Sequence, residues 1–357
     1  MSLENRSKST RPGDELPVDK LNAWCIQERI TQKELKSVRQ FGGGYSNLTY
    51  EIQTEEEAYI LRKPPKGAEK IKGGHDMARE YRVLKALEKA SFPFIPSPIA
   101  LCEDKEVLGV PFYVMKKVDG IIYRAEQVNY LQENLSEIPF QTMSLALCDA
   151  LVALHSVNIH ETGLIDLGKP DGYVTRQVEG WTKRYLAAQT SSIPSFNFVN
   201  DWLLGHIPIS GIPTLIHNDF KYDNVVFASA GSAEVKAILD WEMTTVGDPL
   251  MDVGTALSYW SEENDGAFEK SFNVTWLPGN CTRADFVARY AQKSGRYLDG
   301  ILFYYVFGLF KNAVVIQQIF ARYKAGLSTD SRFAHLDKGV ERLLQKAQKS
   351  IETGKMC

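Results

Sequence analysis

The chain has 357 residues, of which 44% are hydrophobic, and a formal net charge of −3. This is enough to build a sizeable core in one large domain or in two lobes. The small net charge gives no general attraction to nucleic acid or to an anionic membrane. The five cysteines are scattered and contain no Cys-x-x-Cys pair, so neither a disulfide framework nor a zinc site is expected.

The N-terminal residues are expected to form a flexible arm, 1–32, that can carry one short helix around residues 19–30. Its first 20 residues are polar and lack the apolar core of a secretory signal. The most apolar run, 301–310, is too short to span a bilayer and predicts a buried helix. We therefore expect a cytoplasmic protein with neither a nucleic-acid nor a membrane partner.

The first third of the remaining chain reads as strands with a single helix. Alternating residues and turn signals predict an antiparallel meander over 38–53 and 58–63. Residues 75–89 have apolar positions at helical spacing, and 111–118 reads as a further strand. These elements predict a first, nucleotide-binding lobe over 33–118.

Helices dominate the rest of the chain. They are predicted over 143–155, 252–260, 282–294, 300–324 and 336–353, and β-rich segments over 215–227 and 234–242 interrupt them. The pattern predicts an α+β fold whose second lobe, 119–357, carries the catalytic and acceptor-binding residues.

The two β-rich segments carry the polar residues on which the functional prediction depends. The motif His-x-Asp-x-x-x-x-Asn places Asp219 and Asn224 in one segment, and Asp240 follows the next predicted strand. Phosphoryl transfer from ATP requires a carboxylate to orient the acceptor hydroxyl and oxygen ligands for Mg²⁺. We therefore predict that Asp219 is the general base and that Asn224 and Asp240 bind Mg²⁺.

Three neighbouring residues have less defined roles. His217 is expected to be structural, because no second histidine lies at a spacing useful for metal binding. Glu242 is either a further metal ligand or the partner of an ion pair. Lys221 either neutralises the γ-phosphate or is an exposed loop lysine.

A glycine-rich turn between the first two strands is a candidate phosphate-binding loop. It contains Gly43, Gly44, Ser46 and Asn47. Glycines let backbone amides approach phosphates, although a tight hairpin also favours them. The position of the turn ahead of the other motifs favours the functional interpretation.

The third predicted strand supplies a cation for the nucleotide. Side-chain alternation puts Ile60 and Arg62 on one face and Lys63 on the other. Ile60 would then pack on adenine, while Arg62, oriented by Glu80 of the predicted helix, reaches the α- and β-phosphates. Lys63 remains the competing candidate for the phosphate contact.

The assembled motifs resemble the aminoglycoside phosphotransferase/choline kinase family, from about residue 38 to residue 322. The resemblance implies a bilobal protein-kinase-like fold, with a small antiparallel sheet and one helix in the first lobe and a larger helical lobe after it. It also implies that adenine meets the backbone of Lys116 and Val118. Asp248 is expected to support the segment after Asp240 and to cap the next helix.

One departure from the family pattern supports an alternative function. Many relatives have lysine where this chain has Arg62, and a nucleotide-binding pseudokinase scaffold is therefore an alternative to a kinase. Arginine keeps its charge and can bind phosphates bidentately, which is compatible with activity.

A narrower resemblance concerns the acceptor. Residues 172–181 and 310–326 are similar to a subgroup that is sometimes fused to acyl-CoA dehydrogenase domains and is associated with hydroxyacyl-CoA substrates. It implies that Tyr173, Arg176 and Trp181 border the acceptor site, although a buried helix face with a locally paired arginine explains them as well. The alternative acceptor is an aminoglycoside or an amino alcohol such as choline, attracted by the acidic loop 262–265.

Overall fold

The computed structural model describes residues 7–42, 47–65, 75–328 and 330–357. The chain forms two compact units. Unit 1 comprises Met1–Ile122, Thr162–Leu164 and Asn224–Thr244, and unit 2 comprises Tyr123–Glu161, Ile165–Asp223 and Thr245–Cys357.

Unit 1 contains a five-stranded antiparallel sheet in the order β1-β2-β3-β5-β4. The strands are β1 (Ser37–Gln40), β2 (Leu48–Gln53), β3 (Ala58–Lys63), β4 (Pro98–Cys102) and β5 (Phe112–Lys116). The predicted α+β class with an antiparallel sheet is confirmed. Sequence periodicity predicted β1, β2, β3 and β5 but not β4, whose Pro98 weakens the strand signal.

Helices pack on this sheet. They are α1 (Val18–Gln27), α2 (Met77–Lys89) and the short α3 (Lys105–Leu108). Residues of α1, which the sequence assigned to the flexible arm, are buried in the core of unit 1, where Trp24 packs edge-on against Phe112 at a centroid distance of 4.7 Å. Burial of these apolar side chains stabilises an ordered conformation of the segment.

A two-stranded hairpin completes unit 1. It consists of β7 (Val225–Phe227) and β8 (Val235–Ile238), paired antiparallel. Phe227 also forms a β-bridge with Ile121. The preceding Gly120 approaches the Phe227 carbonyl so closely that a Cβ at this position would lie 2.2 Å from its oxygen.

Unit 2 is mainly helical. Its helices are α4 (Val128–Glu133), α5 (Phe140–His155), α6 (Tyr173–Ala188), α7 (Pro194–Gly205), α8 (Pro249–Tyr259), α9 (Ala267–Lys270), α10 (Arg283–Ser294), α11 (Ile301–Lys324) and α12 (Leu336–Thr353). The short strands β6 (Thr214–Ile216) and β9 (Thr245–Gly247) pair antiparallel.

The apolar helix α11 forms the centre of unit 2 together with α8. A Cβ on Gly308 of α11 would lie 2.4 Å from the Gly254 carbonyl oxygen, so the two backbones meet where neither residue has a side chain. Among the described residues, α11 is the one helix long and apolar enough to cross a membrane by length and composition, and 78% of that apolar window is buried. The prediction of a buried helix here agrees with its packing.

Candidate active site

Arg62 lies near the end of β3 and faces three carboxylates of unit 1. Its Nη2 donates to Asp240 Oδ1 at 2.9 Å, and its Nε lies 3.3 Å from Glu80 Oε2. Glu242 Oε2 is 3.7 Å from the same Nη2. Burial alone would lower the pKa of Arg62, but Glu80 and Asp240 raise this pKa well above its ordinary value. The guanidinium is therefore permanently charged.

Glu80 of α2 is held from three directions. Tyr113 donates to its Oε2 at 2.9 Å, and Asn47 Nδ2 donates to its Oε1 at 3.2 Å. The residue is 1% exposed, and burial raises its pKa while the charge of Arg62 works in the opposite direction. The pairing of Arg62 with Glu80 that the sequence predicted is present.

Asn47 and Arg79 link this cluster to the segment that follows Asp240. Asn47 Nδ2 donates to Glu242 Oε2 at 2.7 Å, and its Oδ1 lies 2.8 Å from His75 Nδ1. The Arg79 guanidinium donates to the carbonyl oxygens of Glu242 and Thr244. In this structure Glu242 is the partner of an ion pair, one of the two roles left open by the sequence.

Asn224 and Asp240 flank the β7–β8 hairpin. The hairpin pairs Val225 with Ile238, and Leu239 N donates to Asn224 O at 2.8 Å, so the two predicted metal ligands lie beside neighbouring strands. Asp240 has a left-handed backbone with φ of 66°, which is costly for a residue other than glycine. Such strain is typical of functional segments.

The donor chemistry of these residues fits Mg²⁺. An amide oxygen and a carboxylate are hard ligands, and Mg²⁺ is commonly bound by one or two protein groups together with phosphates and water. Arg62 forms ion pairs with three carboxylates, those of Glu80, Asp240 and Glu242. The carboxylates outnumber this arginine, and an added divalent cation would balance their charge. Within the described ranges, no group of three His, Cys, Asp or Glu side chains could hold a metal by itself.

The other residues predicted to contact the nucleotide are also in unit 1. Ile60 is buried, Lys116 ends β5, and Val118 packs against an apolar cluster that contains Ile122 and Val226. Lys63 is 4% exposed, and the structure puts Arg62 with the carboxylates. Three further predicted residues, Gly43, Gly44 and Ser46, lie outside the described residues.

In unit 2, Asp219 is held by its own segment and by α8. Its amide donates to His217 Nδ1 at 3.3 Å, and Lys221 Nζ lies 3.4 Å from its Oδ2. The Tyr259 hydroxyl forms a hydrogen bond with the Asp219 carboxylate. Lys221 Nζ also lies 4.8 Å from the centre of the Tyr259 ring.

Asp252 of α8 fixes the backbone immediately before Asp219. Its two carboxylate oxygens accept from His217 N at 2.6 Å and from Asn218 N at 2.7 Å. His155 Nε2 lies 3.1 Å from the same carboxylate, and burial alone would raise the pKa of Asp252, but the contacts with His155 and His217 lower it overall. Asn218 has φ of 67°, so both predicted catalytic segments contain a strained residue.

This clamp was missed by sequence reasoning. His155, the last residue of the predicted helix 143–155, bridges Asp252 and the Tyr290 hydroxyl, which is 2.7 Å from its Nδ1. Asp248 does cap α8, as expected, by accepting from Leu250 N at 2.9 Å. The residues that hold Asp219 come from distant parts of the chain, so spacing could not reveal them.

A second residue missed by the sequence is Lys311 of α11. The residue is 4% exposed, and its ammonium donates to the Asn218 carbonyl at 2.7 Å. Burial lowers its pKa to about 8. The available signal in the sequence is a lysine in the middle of a long apolar helix.

The three predicted acceptor residues lie on α6. Tyr173 is buried and forms a hydrogen bond with Asn218, so it contacts the segment that carries Asp219. Trp181 lies near Lys311, with the ammonium 5.8 Å from the ring centre. Arg176 donates to the carbonyl oxygens of Asp171 and Lys169, which is the local pairing considered as its alternative role.

The acidic loop proposed for cationic acceptors is occupied by ion pairs. Arg283 pairs with Glu262 at 3.2 Å and with Asp265, and Lys346 of α12 also pairs with Asp265. Burial alone would raise the pKa of Asp265, but Arg283 and Lys346 lower it below its ordinary value. Two of the three carboxylates in the loop are thus neutralised internally.

This fold, with a paired arginine and helix glutamate in unit 1 and a clamped aspartate segment in unit 2, defines a protein-kinase-like phosphotransferase. The family model for the Phosphotransferase enzyme family matches residues 37–287. The chain therefore belongs to this family, as its motifs indicated.

Curated relatives carry the same region within longer proteins. The chain is 35% identical over 312 residues to mouse acyl-CoA dehydrogenase family member 10, covering 86% of this chain and 28% of that protein. It is 34% identical over 327 residues to chicken acyl-CoA dehydrogenase family member 11, covering 89% of this chain and 40% of that protein. The chain thus spans less than half the length of these relatives.

Solved structures confirm the protein-kinase-like fold. A candidate aminoglycoside phosphotransferase from Ralstonia eutropha superposes with a TM-score of 0.77 at 29% identity, covering 95% of this chain and 99% of that one. Choline kinase from Cryptosporidium parvum gives a TM-score of 0.61 at 13% identity, covering 94% of this chain and 97% of that one. A streptomycin–ATP–aminoglycoside phosphotransferase complex gives 0.55 at 15% identity, covering 84% and 91%.

Proposed function

We propose that this chain transfers the γ-phosphoryl group of ATP to a hydroxyl group of a small molecule in a Mg²⁺-dependent reaction. The observation that carries the proposal is the clamped segment around Asp219, in which Asp252 holds the two preceding amides. A carboxylate fixed in this way suits a reaction in which the enzyme mainly positions the nucleophile.

The residues of unit 1 would bind the nucleotide. Arg62 would contact the phosphates, and its ion pair with Glu80 would hold the guanidinium in place for this contact. Asn224 and Asp240 would hold Mg²⁺, which, when bound, neutralises charge on the phosphate oxygens. Adenine would lie beside the backbone of Lys116 and Val118.

Asp219 would accept the proton of the acceptor hydroxyl. The hydroxyl oxygen forms a bond to the γ-phosphorus, while the bond from that phosphorus to the β–γ bridging oxygen breaks and ADP leaves. The hydrogen bond with Tyr259 and the contact with Lys221 would keep the carboxylate oriented before the reaction.

For the acceptor we propose a hydroxyacyl-CoA. The support is that the relatives are acyl-CoA dehydrogenase family members and that the match covers most of this chain. An aminoglycoside or amino-alcohol acceptor is the alternative, supported by the structural neighbours. The ion pairs within the acidic loop weaken that alternative, because Glu262 and Asp265 are already neutralised.

The intact cluster of Arg62, Glu80 and Asp240 weakens the pseudokinase alternative. Arginine at this position forms the same ion pair with the helix glutamate that a lysine would be expected to form. A scaffold without turnover has no chemical need for a clamped carboxylate such as Asp219.

The proposal is tested by ADP release with Mg²⁺ and ATP across hydroxyacyl-CoAs, sugars, amino alcohols and aminoglycosides. We expect a hydroxyacyl-CoA to stimulate ADP release, and Asp219→Asn to lower the rate by roughly 10²- to 10⁴-fold. The matched control is Asp166→Asn, which changes an exposed aspartate of the same unit. Nucleotide binding without acceptor-dependent ADP release would support the scaffold alternative instead.

A further inference from the structure

Lys311 is a buried positive charge in the apolar centre of unit 2. It lies in α11 between buried neighbours and is 4% exposed. Buried charges are rare in proteins unless a group of opposite charge is paired with them. The position of this ammonium therefore needs a reason beyond packing.

A second cation, Arg184, lies close to the ring of Trp181, which Lys311 also borders. The guanidinium carbon of Arg184 is 4.4 Å from the centre of the Trp181 ring, and Lys311 Nζ is 5.8 Å from it. In the part of the chain that the structure describes, neither Lys311 nor Arg184 forms an ion pair with a carboxylate. Trp181 is thus bordered by two cations that no carboxylate neutralises by direct contact.

The surrounding titratable groups do not cancel this charge. Asp219 and Asp252 favour the ammonium of Lys311, whereas Lys221 and Arg184 oppose it. Asp252 is already committed to the amides of the clamp, and Asp219 pairs with Lys221. A bound anion would therefore balance the positive charges of Lys311 and Arg184.

We propose that Lys311 and Arg184, together with Trp181, bind an anionic oxygen group of the hydroxyl acceptor, so that unit 2 selects acidic acceptors over amines. The inference rests on the proposed function, since it concerns the acceptor of that reaction. The anionic group is either a carboxylate of the acceptor or a phosphate of a CoA moiety. The ammonium has three N–H donors, and the Asn218 carbonyl takes one of them.

The site has a consequence for pH that a purely structural lysine would not have. Because burial lowers the pKa of Lys311 to about 8, the cation is partly lost under mildly alkaline conditions. A bound anion stabilises the charged form, so anion affinity falls as the ammonium deprotonates. The KM for an acidic acceptor should therefore rise above pH 8, while the KM for its uncharged amide should not.

The first test measures binding of inorganic phosphate to the full chain without nucleotide, by calorimetry and by tryptophan fluorescence. We expect Lys311→Met and Arg184→Gln each to weaken binding about tenfold or more. The matched controls are Lys324→Met in the same helix and Lys183→Gln beside Arg184, both exposed, which should change binding less than about twofold. Equal binding by Lys311→Met and wild type would overturn the site.

The second test compares KM for 3-hydroxybutyrate, 3-hydroxybutyryl-CoA, 3-hydroxybutyramide and the amino alcohol choline. Lys311→Met should raise KM for the two acidic acceptors about tenfold and leave the amide unchanged. A larger effect on the free acid identifies the carboxylate as the bound group, and a larger effect on the thioester identifies the CoA phosphates. An equal rise for acid and amide would show that Lys311 only supports the Asn218 backbone, and the specificity site would be rejected.

The two proposals fail in different ways. If wild type phosphorylates an acceptor but Lys311→Met keeps its preference between acid and amide, only the anion site is wrong. If phosphate binding depends on Lys311 and Arg184 while no acceptor is phosphorylated, the proposed function is wrong and the anion site stands.

Discussion

Replacing Lys311 by methionine should change stability in a way that depends on pH. Methionine has a similar length and flexibility, so it can occupy the buried position without carrying a charge. In the folded state the pKa of Lys311 is lowered from 10.5 to about 8 by burial. A pKa difference of this size corresponds to about 3 kcal/mol of destabilisation at any pH at which Lys311 is protonated in both the folded and the unfolded chain.

The direction of this pH dependence is set by which state of the chain binds the Lys311 proton more tightly. Between pH 8 and pH 10.5 the unfolded chain binds the Lys311 proton and the folded chain does not, so this residue makes wild type more stable as the pH rises. The full cost of the buried charge is present below pH 8. Relative to Lys311→Met, wild type should therefore gain about 2 kcal/mol between pH 7 and pH 9.5.

The assay is urea unfolding of both proteins at pH 7 and pH 9.5. The loss of the hydrogen bond to Asn218 shifts the variant by a similar amount at both pH values, about 1–3 kcal/mol, and cancels in the comparison. Lys324→Met is the exposed control and should show no such pH dependence. If the difference in unfolding free energy between wild type and Lys311→Met stays constant between the two pH values within about 0.5 kcal/mol, Lys311 does not carry a buried charge with a lowered pKa.

Three further predictions concern the two clusters and the helix contact. Arg62→Met should lower the free energy of unfolding in urea by about 3–5 kcal/mol, because it leaves Glu80 buried without its ion pair. Arg62→Lys keeps a positive charge and should lower it less. Equal losses in the two variants would contradict the role of the ion pair. Asp252→Asn should lower both the turnover number and the urea midpoint. Because the pKa of Asp252 is lowered in the folded state, its carboxylate stabilises the fold fully above about pH 4, and this stabilisation should decrease as the pH falls further. A stability difference between wild type and Asp252→Asn that does not change with pH would contradict this role. Gly308→Ala should cost about 1–3 kcal/mol in thermal unfolding, whereas Gly180→Ala, in open space on α6, should be neutral or stabilising.

The fold class and the main elements could be predicted from sequence because they depend on local periodicity. The helix 336–353 was predicted at the bounds that the structure has, and the strand 58–63 likewise. The helix α6 was considered only as the buried-face alternative for the acceptor residues, and α7 was not predicted.

The site could be predicted only as far as motif spacing reaches. Asp219 and Asn224 lie in one short segment, and Asp240 follows the next strand, so motif spacing alone identifies all three as candidates. The clamp could not be predicted, because His155 and Asp252 are 97 residues apart and meet only in the folded chain, where α5 and α8 both contact β6. The roles of the predicted site residues stay predictions until they are measured.

Lys311 illustrates a different limit. Its burial and its contact with Asn218, 93 residues away in the chain, depend on how α11 packs in unit 2. A lysine in an apolar helix is compatible with a side chain that reaches water as well as with one that is enclosed. Only the folded structure distinguishes the two, and here the ammonium is enclosed.

The most direct test of the central claim is a single-turnover measurement with γ-labelled ATP, in which transfer of the label to the acceptor is followed in wild type and in Asp219→Asn. We expect wild type to transfer the label to the hydroxyl. Asp219→Asn should bind ATP within about twofold of wild type but transfer the label roughly 10²- to 10⁴-fold more slowly. Transfer by Asp219→Asn at a rate close to that of wild type would contradict the assignment of Asp219 as the base.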